Sequence, residues 1–245
     1  MADDEPYPLT GVGEGLRQAV HQRQDRVISA AIREAGVWEP FESSLLCAAL
    51  RPGQCCLDAG ANIGYFNVLA ARSVGPAGTV HACEPEPRNF ALLAGNVALN
   101  GFDDRVHLHE VALGSAAGTA TLHLHPDNLG DHQLHPGADW RGSQQCTVPV
   151  STGTDLLAGE PRPLGLVKID TQGAELAVVR GLIPRLREER AQLRMIVELT
   201  PLSLRLAGDS GAALVSELAE LDLPFAIVDH IEHRLAPVTA RELVT

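Results

Sequence analysis

The sequence predicts an α/β fold built on a doubly wound parallel sheet. Three observations carry that expectation. Short apolar runs at 55–58, 79–84, 106–111, 166–170 and 193–198 alternate with longer stretches of helical periodicity, which is the pattern of strands joined by right-handed helical crossovers. Each run reaches an acid at or near its end (Asp58, Glu84, Glu110, Asp170 and Glu198), so carboxylates gather at the carboxyl ends of the strands, where such sheets bind ligands. The stretch C-C-L-D-A-G-A-N-I-G-Y-F at 55–66 reads as a strand, a tight glycine turn and the start of a helix. Glycines there let the backbone approach a ligand closely, and the helix N-terminus offers free N–H groups.

The remaining elements follow in order. Residues 1–15 read as a loose tail with Pro and Gly, and 16–35 as one or two polar helices rich in Arg and Gln. W-E-P-F-E at 38–42 leads into a helix at 43–50. R-P-G at 51–53 is a turn that delivers the chain to the first strand. A sheet-packing helix at 65–74 is closed by G-P-A-G. Pro87 suits the first turn of the next helix, Leu92, Leu93, Val97 and Leu99 form its apolar face, and Asn100-Gly101 stops it. Residues 119–124 alternate like an exposed strand, with 145–150 as its partner. The polar, turn-rich loop between them is long enough to be a substrate lid. Helices are expected at 173–190, with a break at Pro184, and at 209–221. Residues 225–229 and 232–235 suit an antiparallel pair. Residues 1–50 would then be an N-terminal helical cap and 51–245 the main domain, with a β-hairpin and lid inserted in it.

Composition narrows the function. The 245 residues suffice for one α/β domain with a sizeable core. The formal net charge of −12 argues against a nucleic-acid substrate and against anionic membranes. No apolar run is long enough to span a bilayer, and the acidic N-terminus lacks the features of a signal peptide, so a cytoplasmic location is expected. Five cysteines without a C-x-x-C pair read as reduced thiols, three of them on buried strands. Six of the ten histidines lie between His107 and His135. The pairs His107/His109 and His123/His125 have strand spacing and read as exposed strand faces rather than a metal site. No self-association patch can be located from the sequence, and a homo-oligomer is compatible with it.

The glycine loop has the pattern D-x-G-x-N-x-G, not the G-x-G-x-x-G of dinucleotide sites. Glu84, twenty residues after Gly64, suits a ribose diol. Asp58 inside the first loop is awkward for a pyrophosphate and comfortable for an ammonium group. This favours S-adenosylmethionine over NAD. D-A-G-A-N-I-G-Y-F, then E-P-E-P-R-N-F, then L-V-K-I-D-T-Q-G-A-E-L, with V-V-R-G after it, resembles the FkbM family of S-adenosylmethionine-dependent methyltransferases over roughly two-thirds of the chain. Gln172 stands where family members often carry Glu. The resemblance implies a Rossmann-like class I methyltransferase sheet and O-methylation of a sugar or secondary-metabolite hydroxyl. On this reading Asp58, Gly60, Asn62 and Gly64 surround the methionine end, and Glu84, with Pro85 and Asn89, holds the ribose. Glu110 and Ala112 lie near the adenine.

Methyl transfer to a hydroxyl needs alignment and a base. Asp170 is the first candidate, and Lys168 shares its strand face by the period of two. His132, in the lid loop beside Asp131, has the right ordinary pKa for a base near neutrality. Asp131, Gln172, Glu175 and Glu198 are candidates for holding the acceptor. Asp170, Glu198 and Glu175 are also oxygen donors suited to Mg²⁺, although no metal is the favoured reading. A catalytically silent cofactor-binding protein, an N-methyltransferase for a small amine and a nucleotide-sugar or NAD-dependent enzyme on a similar sheet are the rival readings.

Overall fold

The computed structural model describes residues 5–22, 25–137, 140 and 142–244. Part of the expected tail (residues 1–4) and part of the lid loop (138, 139 and 141) lie outside them. The chain begins with a short antiparallel hairpin, β1 (Tyr7–Pro8) and β2 (Arg17–Gln18), and then forms α1 (Ile28–Ala35) and α2 (Pro40–Ala49). The hairpin corrects the expected helix at its start. The polar residues there are sewn to the body of the protein as extended chain. The backbone N–H groups of Arg17 and Ala19 donate to the side chains of Asn100 and Asn96, and the buried Gln18 amide donates to the Ile63 carbonyl at 2.8 Å. Backbone groups satisfied by side chains in this way have no need of a helix.

The main body follows the predicted alternation. β3 (Cys55–Ala59), α3 (Tyr65–Val74), β4 (Thr79–Cys83), α4 (Pro87–Leu99) and β5 (Val106–His109) form one half. The chain then leaves the sheet. β6 (Ala112–Leu113), β7 (Gly118–His123) and β8 (Gln145–Ser151) make a separate three-stranded sheet of order β6-β8-β7, with β7 and β8 antiparallel. The expected third strand is thus divided, and Glu110 falls in the exposed gap between the two sheets. After α5 (Gly153–Leu156) the chain returns as β9 (Leu164–Ile169), α6 (Glu175–Glu189) and β10 (Arg194–Val197). The elements α7 (Pro201–Leu206), α8 (Gly211–Ala219), β11 (Phe225–Asp229), β12 (Arg234–Val238) and α9 (Ala240–Leu243) complete the described chain, with β11 and β12 paired antiparallel. The helices α7 and α9 have too few turns to leave a sequence period.

The central sheet has the order β10-β9-β3-β4-β5 and every pairing in it is parallel. This is a Rossmann-like doubly wound fold, and the strand order reverses between β3 and β9. Alternate residues of β3 go to opposite layers. Cys56 packs with α3 and α4, while Cys55, Leu57 and Ala59 pack with α6 and α8. All five cysteines are free thiols. Among the described residues no helix is long and apolar enough to cross a membrane.

α6 runs through Pro184 without the expected break. The Thr154 hydroxyl donates to the Gly181 carbonyl of the helix at 2.8 Å. Gly181, from the V-V-R-G motif, has a packing reason: a Cβ at this position would collide with the Gly114 carbonyl. Gly95 of α4 is exposed, and a Cβ there would meet nothing within 4 Å. Substituting Ala in a helix interior gains about 0.5–1 kcal/mol where nothing obstructs it, whereas overpacking costs about 1–3 kcal/mol. Gly95→Ala is therefore expected to raise the urea midpoint, and Gly181→Ala to lower it, in equilibrium unfolding.

Candidate active site

Beyond β3 the chain turns at Gly60 (φ +89°), Asn62 (φ +51°) and Gly64 (φ +85°) into α3. Gly60 lies against the Asp170 carbonyl so closely that any Cβ would collide with it. The two ligand-facing loops, after β3 and after β9, are thereby locked together at the switch in strand order. Glu84 follows β4 and is 5% exposed. Its two oxygens accept the backbone N–H groups of Asn62 (2.8 Å) and Glu86 (2.9 Å). Burial nevertheless pushes its pKa up to about 7, because two neutral donors do not replace a full hydration shell.

The lid loop folds over these turns. The Leu129 carbonyl accepts from the side chains of both Asn62 (3.0 Å) and Asn89 (2.9 Å). Asn89 is further held by His21, at 2.7 Å. Between lid and sheet lies a cleft. Gly60, Asn62, Glu84, Pro85, Asn89, Ala112, Asp170 and Gln172 line it from the sheet side, and Leu129, His132 and Leu134 from the lid. Gly64 acts from behind, against Leu93, and opens α3.

Lys168 is 2% exposed. Its ammonium lies 3.0 Å from Asp170 Oδ2 and 4.7 Å from the centroid of the Phe66 ring. Burial alone would pull its pKa down, but the charges of Asp170, Asp58 and Glu42 outweigh burial and hold it protonated. Asp58 pairs in register with Lys168 and faces the same layer, at 3% exposure. It does not line the cleft. It sits behind the glycine loop, its Oδ1 has no hydrogen-bond partner, and burial raises its pKa to about 6.

Asp170 and Glu198 form a second carboxylate pair. The Gln172 side chain, on a backbone with φ +52°, donates to Asp170 Oδ1 at 2.9 Å and to Glu198 Oε2 at 2.6 Å. Burial works against ionisation of Asp170, yet the Lys168 charge and its hydrogen bonds bring it below the ordinary carboxylate range. Glu198 goes the other way, raised first by burial and then by the Asp170 charge. The neutral amide of Gln172 thus does what a carboxylate at that position would not: it bridges two acids without adding a third charge.

Three expected site residues have other tasks. Glu175 is fully buried, and its carboxylate accepts from the N–H groups of Thr171 and Gly173 and from the Thr171 hydroxyl, closing the turn after β9. Asp131 accepts from the Gln133 amide within the lid, at 2.8 Å. His132 lines the cleft but is not arranged as a base. Its Nδ1 accepts the His125 N–H at 3.0 Å, so the lone pair is engaged and Nε2 carries the proton, and burial lowers its pKa to about 4.

Two acids were not singled out by the sequence. Glu39, in a left-handed conformation, and Glu42 begin α2 and face the Lys168 cluster; burial raises both, Glu39 to about 7. Their spacing is that of ordinary acids at a helix N-terminus. The nearby stacking of Phe41 on His233, with ring centroids 5.7 Å apart, brings the β11–β12 turn to the same end of the sheet.

The fold and the cleft define a small-ligand α/β protein whose site lies at the carboxyl edge of its sheet. The model of the methyltransferase FkbM domain matches residues 58–222, and the chain belongs to the FkbM methyltransferase family. It is 30% identical over 176 residues to 31-O-demethyl-FK506 methyltransferase FkbM of Streptomyces tacrolimicus, covering 59% of this chain and 66% of that protein. It is 30% identical over 144 residues to Methyltransferase 1 of Beauveria bassiana, covering 51% and 57%. It is 31% identical over 154 residues to methyltransferase sdnD of Sordaria araneosa, covering 51% and 59%. The chain thus spans 57% to 66% of the length of these relatives. Among solved structures it is similar to the O-methyltransferase TomG of Streptomyces achromogenes (TM-score 0.43, 17% identity, 84% of this chain and 83% of that one). The fold assignment rests on the strand order and not on that likeness.

The buried acids set a pH dependence of stability. Glu84 ionises near 4.5 in an unfolded chain and near 7 in the folded one, so stability from its proton is lost as pH rises across that window. Glu39 and Asp58 act in the same direction. His109 and His132 are held neutral and act oppositely, losing stability as pH falls from 6.5 towards 4. Above pH 6.5 only the carboxylate contribution remains. The melting temperature is expected to fall as pH rises from about 6.5 to about 8, and Glu84→Gln is expected to flatten that fall in scanning calorimetry.

Proposed function

We propose that the protein is an S-adenosylmethionine-dependent methyltransferase acting on a hydroxyl of a sugar or natural-product scaffold. The observation that carries this reading is the charge of the cleft. Among the described residues that line the cleft, Glu84 and Asp170 are acids and none is Lys or Arg; Lys168, behind it, is already paired to Asp170. Asp170 is ionised, and a cationic ligand would draw Glu84 into ionisation as well, whereas a pyrophosphate would meet no free positive charge there. That weighs against a dinucleotide.

The residues present fit the cofactor. Glu84 keeps lone pairs free of its two backbone donors for a ribose diol. The unpartnered Asp58 Oδ1 adds negative potential beneath the glycine loop. When bound, S-adenosylmethionine supplies a methyl carbon on a good sulfonium leaving group. The chain's own part is then to place the acceptor oxygen and take its proton. Asp170 is the proposed base. It is ionised beside Lys168, and its Oδ1 accepts from the Gln172 amide, which would give way for a proton. Glu198, protonated, limits the basicity of its neighbour until it too ionises. Lys168 supplies the positive charge that a divalent ion such as Mg²⁺ would bring to the same carboxylates. The lid residues Leu129, Leu134 and His132 exclude water, and His132 offers an N–H rather than a base.

The relative from Streptomyces tacrolimicus is named for a 31-O-demethyl substrate, which supports a hydroxyl acceptor here. The acidic cleft supports a second reading, a protonated amine as acceptor. An acceptor screen with radiolabelled S-adenosylmethionine separates the two.

Calorimetric titration with S-adenosylhomocysteine is expected to show micromolar binding; no binding by folded protein would sink the proposal. Asp170→Asn is expected to keep that binding and lose about 10²–10⁴-fold in transfer rate. The transfer rate is expected to rise with pH from neutral into the alkaline range as Glu198 ionises, and Glu198→Gln is expected to remove that rise in a pH–rate profile.

A further inference from the structure

A second cluster of donor groups lies at the opposite end of the sheet. Among the described residues, one group of Cys, His and carboxylate side chains is close enough to hold a metal ion: Cys55 Sγ, His81 and Glu160, whose ligand atoms all lie within 4.8 Å of one another. Cys55 opens β3, His81 is in the middle of β4, and Glu160 belongs to the loop entering β9. None of them takes part in the cleft described above.

The group is more ordered than a chance contact. Glu160 divides its oxygens between two tasks. Oε1 accepts from the Arg162 backbone N–H (2.9 Å) and guanidinium (3.3 Å). Oε2 is turned inward, 3.1 Å from His81 Nε2 and 3.1 Å from the Thr79 hydroxyl. The Glu160 carbonyl is held by Arg185 at 3.3 Å, so the carboxylate is fixed in place before any ligand arrives. On the far side of the imidazole, His81 Nδ1 lies 3.2 Å from His109 Nε2, with the two rings stacked. A histidine that binds metal through one nitrogen characteristically donates its other N–H to a neighbouring acceptor. Here His109 stands in that place. The bland alternative is a buried His81–Glu160 hydrogen bond. That accounts for the two histidines and the glutamate and leaves the thiol only as a hydrogen-bond partner of Thr79; a metal gives all three donor atoms one purpose.

We propose that Cys55, His81 and Glu160 form a binding site for a borderline-soft divalent ion, Zn²⁺, with water as the fourth ligand. The donor set selects the ion. Thiolate and imidazole suit Zn²⁺ and are poor ligands for Mg²⁺ or Ca²⁺. The charges balance as well. On binding, the Cys55 thiol gives up its proton to solvent, and one thiolate, one carboxylate and one neutral imidazole around a dication leave no net charge to bury. Arg162 and Arg185 oppose a cation, but Arg162 is already paired to the outer oxygen of Glu160. Zinc–ligand distances of about 2.0–2.3 Å in a tetrahedron place donors roughly 3.3–3.7 Å apart. The His81–Glu160 separation of 3.1 Å is close to this already, and Cys55 Sγ, within 4.8 Å of both ligand atoms, has to close the remaining gap. Such an ion ties β3, β4 and the loop into β9 together below the switch point.

The test uses the untagged, full-length chain. It is loaded by dialysis against ZnCl₂, cleared of free metal and analysed for bound zinc; in parallel it is titrated with Co²⁺ and followed by absorbance. The expected result is one zinc per chain, a rise in melting temperature, and a thiolate-to-cobalt charge-transfer band. Cys55→Ser is expected to remove the band, and His109→Ala to weaken zinc binding by about tenfold or more. Glu160→Gln is nearly isosteric and is expected to weaken binding likewise. Folded wild-type protein that retains no zinc and shows no band overturns the proposal. So does zinc retained equally by wild type, Cys55→Ser and Glu160→Gln. Neither outcome touches the methyl-transfer reading, which S-adenosylhomocysteine binding decides.

Discussion

A single buried ammonium organises the ligand end of this protein. Taking Lys168 out of water costs several kcal/mol, and the cost is met only because Asp170 hydrogen-bonds it, Asp58 and Glu42 lie near and the Phe66 ring covers it. Each partner comes from a different element: β3, the turn after β9, α2 and α3. The ion cluster therefore fixes how those elements meet. A one-residue slip between β3 and β9 would turn Lys168 toward the apolar layer of α6 and leave its partners unmatched. Apolar contacts make the sheet stable, and the lysine makes its register at the switch point unique.

The sheet was largely legible in the sequence because parallel strands are buried on both faces. β3, β4 and β9 lie in continuous apolar runs bounded by Gly, Pro and acids, and no surface alternation blurs them. The ends moved by a residue or two, and the run at 106–111 divided because its last residues serve another sheet. The β1–β2 hairpin was not legible. Two-residue strands have no period, and what holds them is a pair of asparagines, Asn96 and Asn100, far along the chain. The break expected at Pro184 did not form, and residues on both sides of it, Val178, Val179, Leu182 and Leu186, are buried in one core cluster.

In the site, the acids at strand ends could be read from the sequence because topology alone places them together. Their division of labour could not. Glu84 and Asp170 reach the cleft, Asp58 stays behind the glycine loop, Glu175 closes a turn and Glu110 is left outside. Nothing in D-T-Q-G-A-E distinguishes the outward acid from the inward one until the turn is built. Likewise the residue type of His132 offers a base, and only the His125 N–H on its Nδ1 shows that it carries a donor instead.

The grip of Asn62 and Asn89 on one carbonyl has a consequence for traffic through the cleft. The Leu129 carbonyl is held by both amides at once, one from the turn after β3 and one from α4. Opening breaks two hydrogen bonds together, a combined cost on the order of 1–3 kcal/mol. Asn62 also forms the floor of the cleft, so the act that admits a ligand loosens the surface on which it will rest.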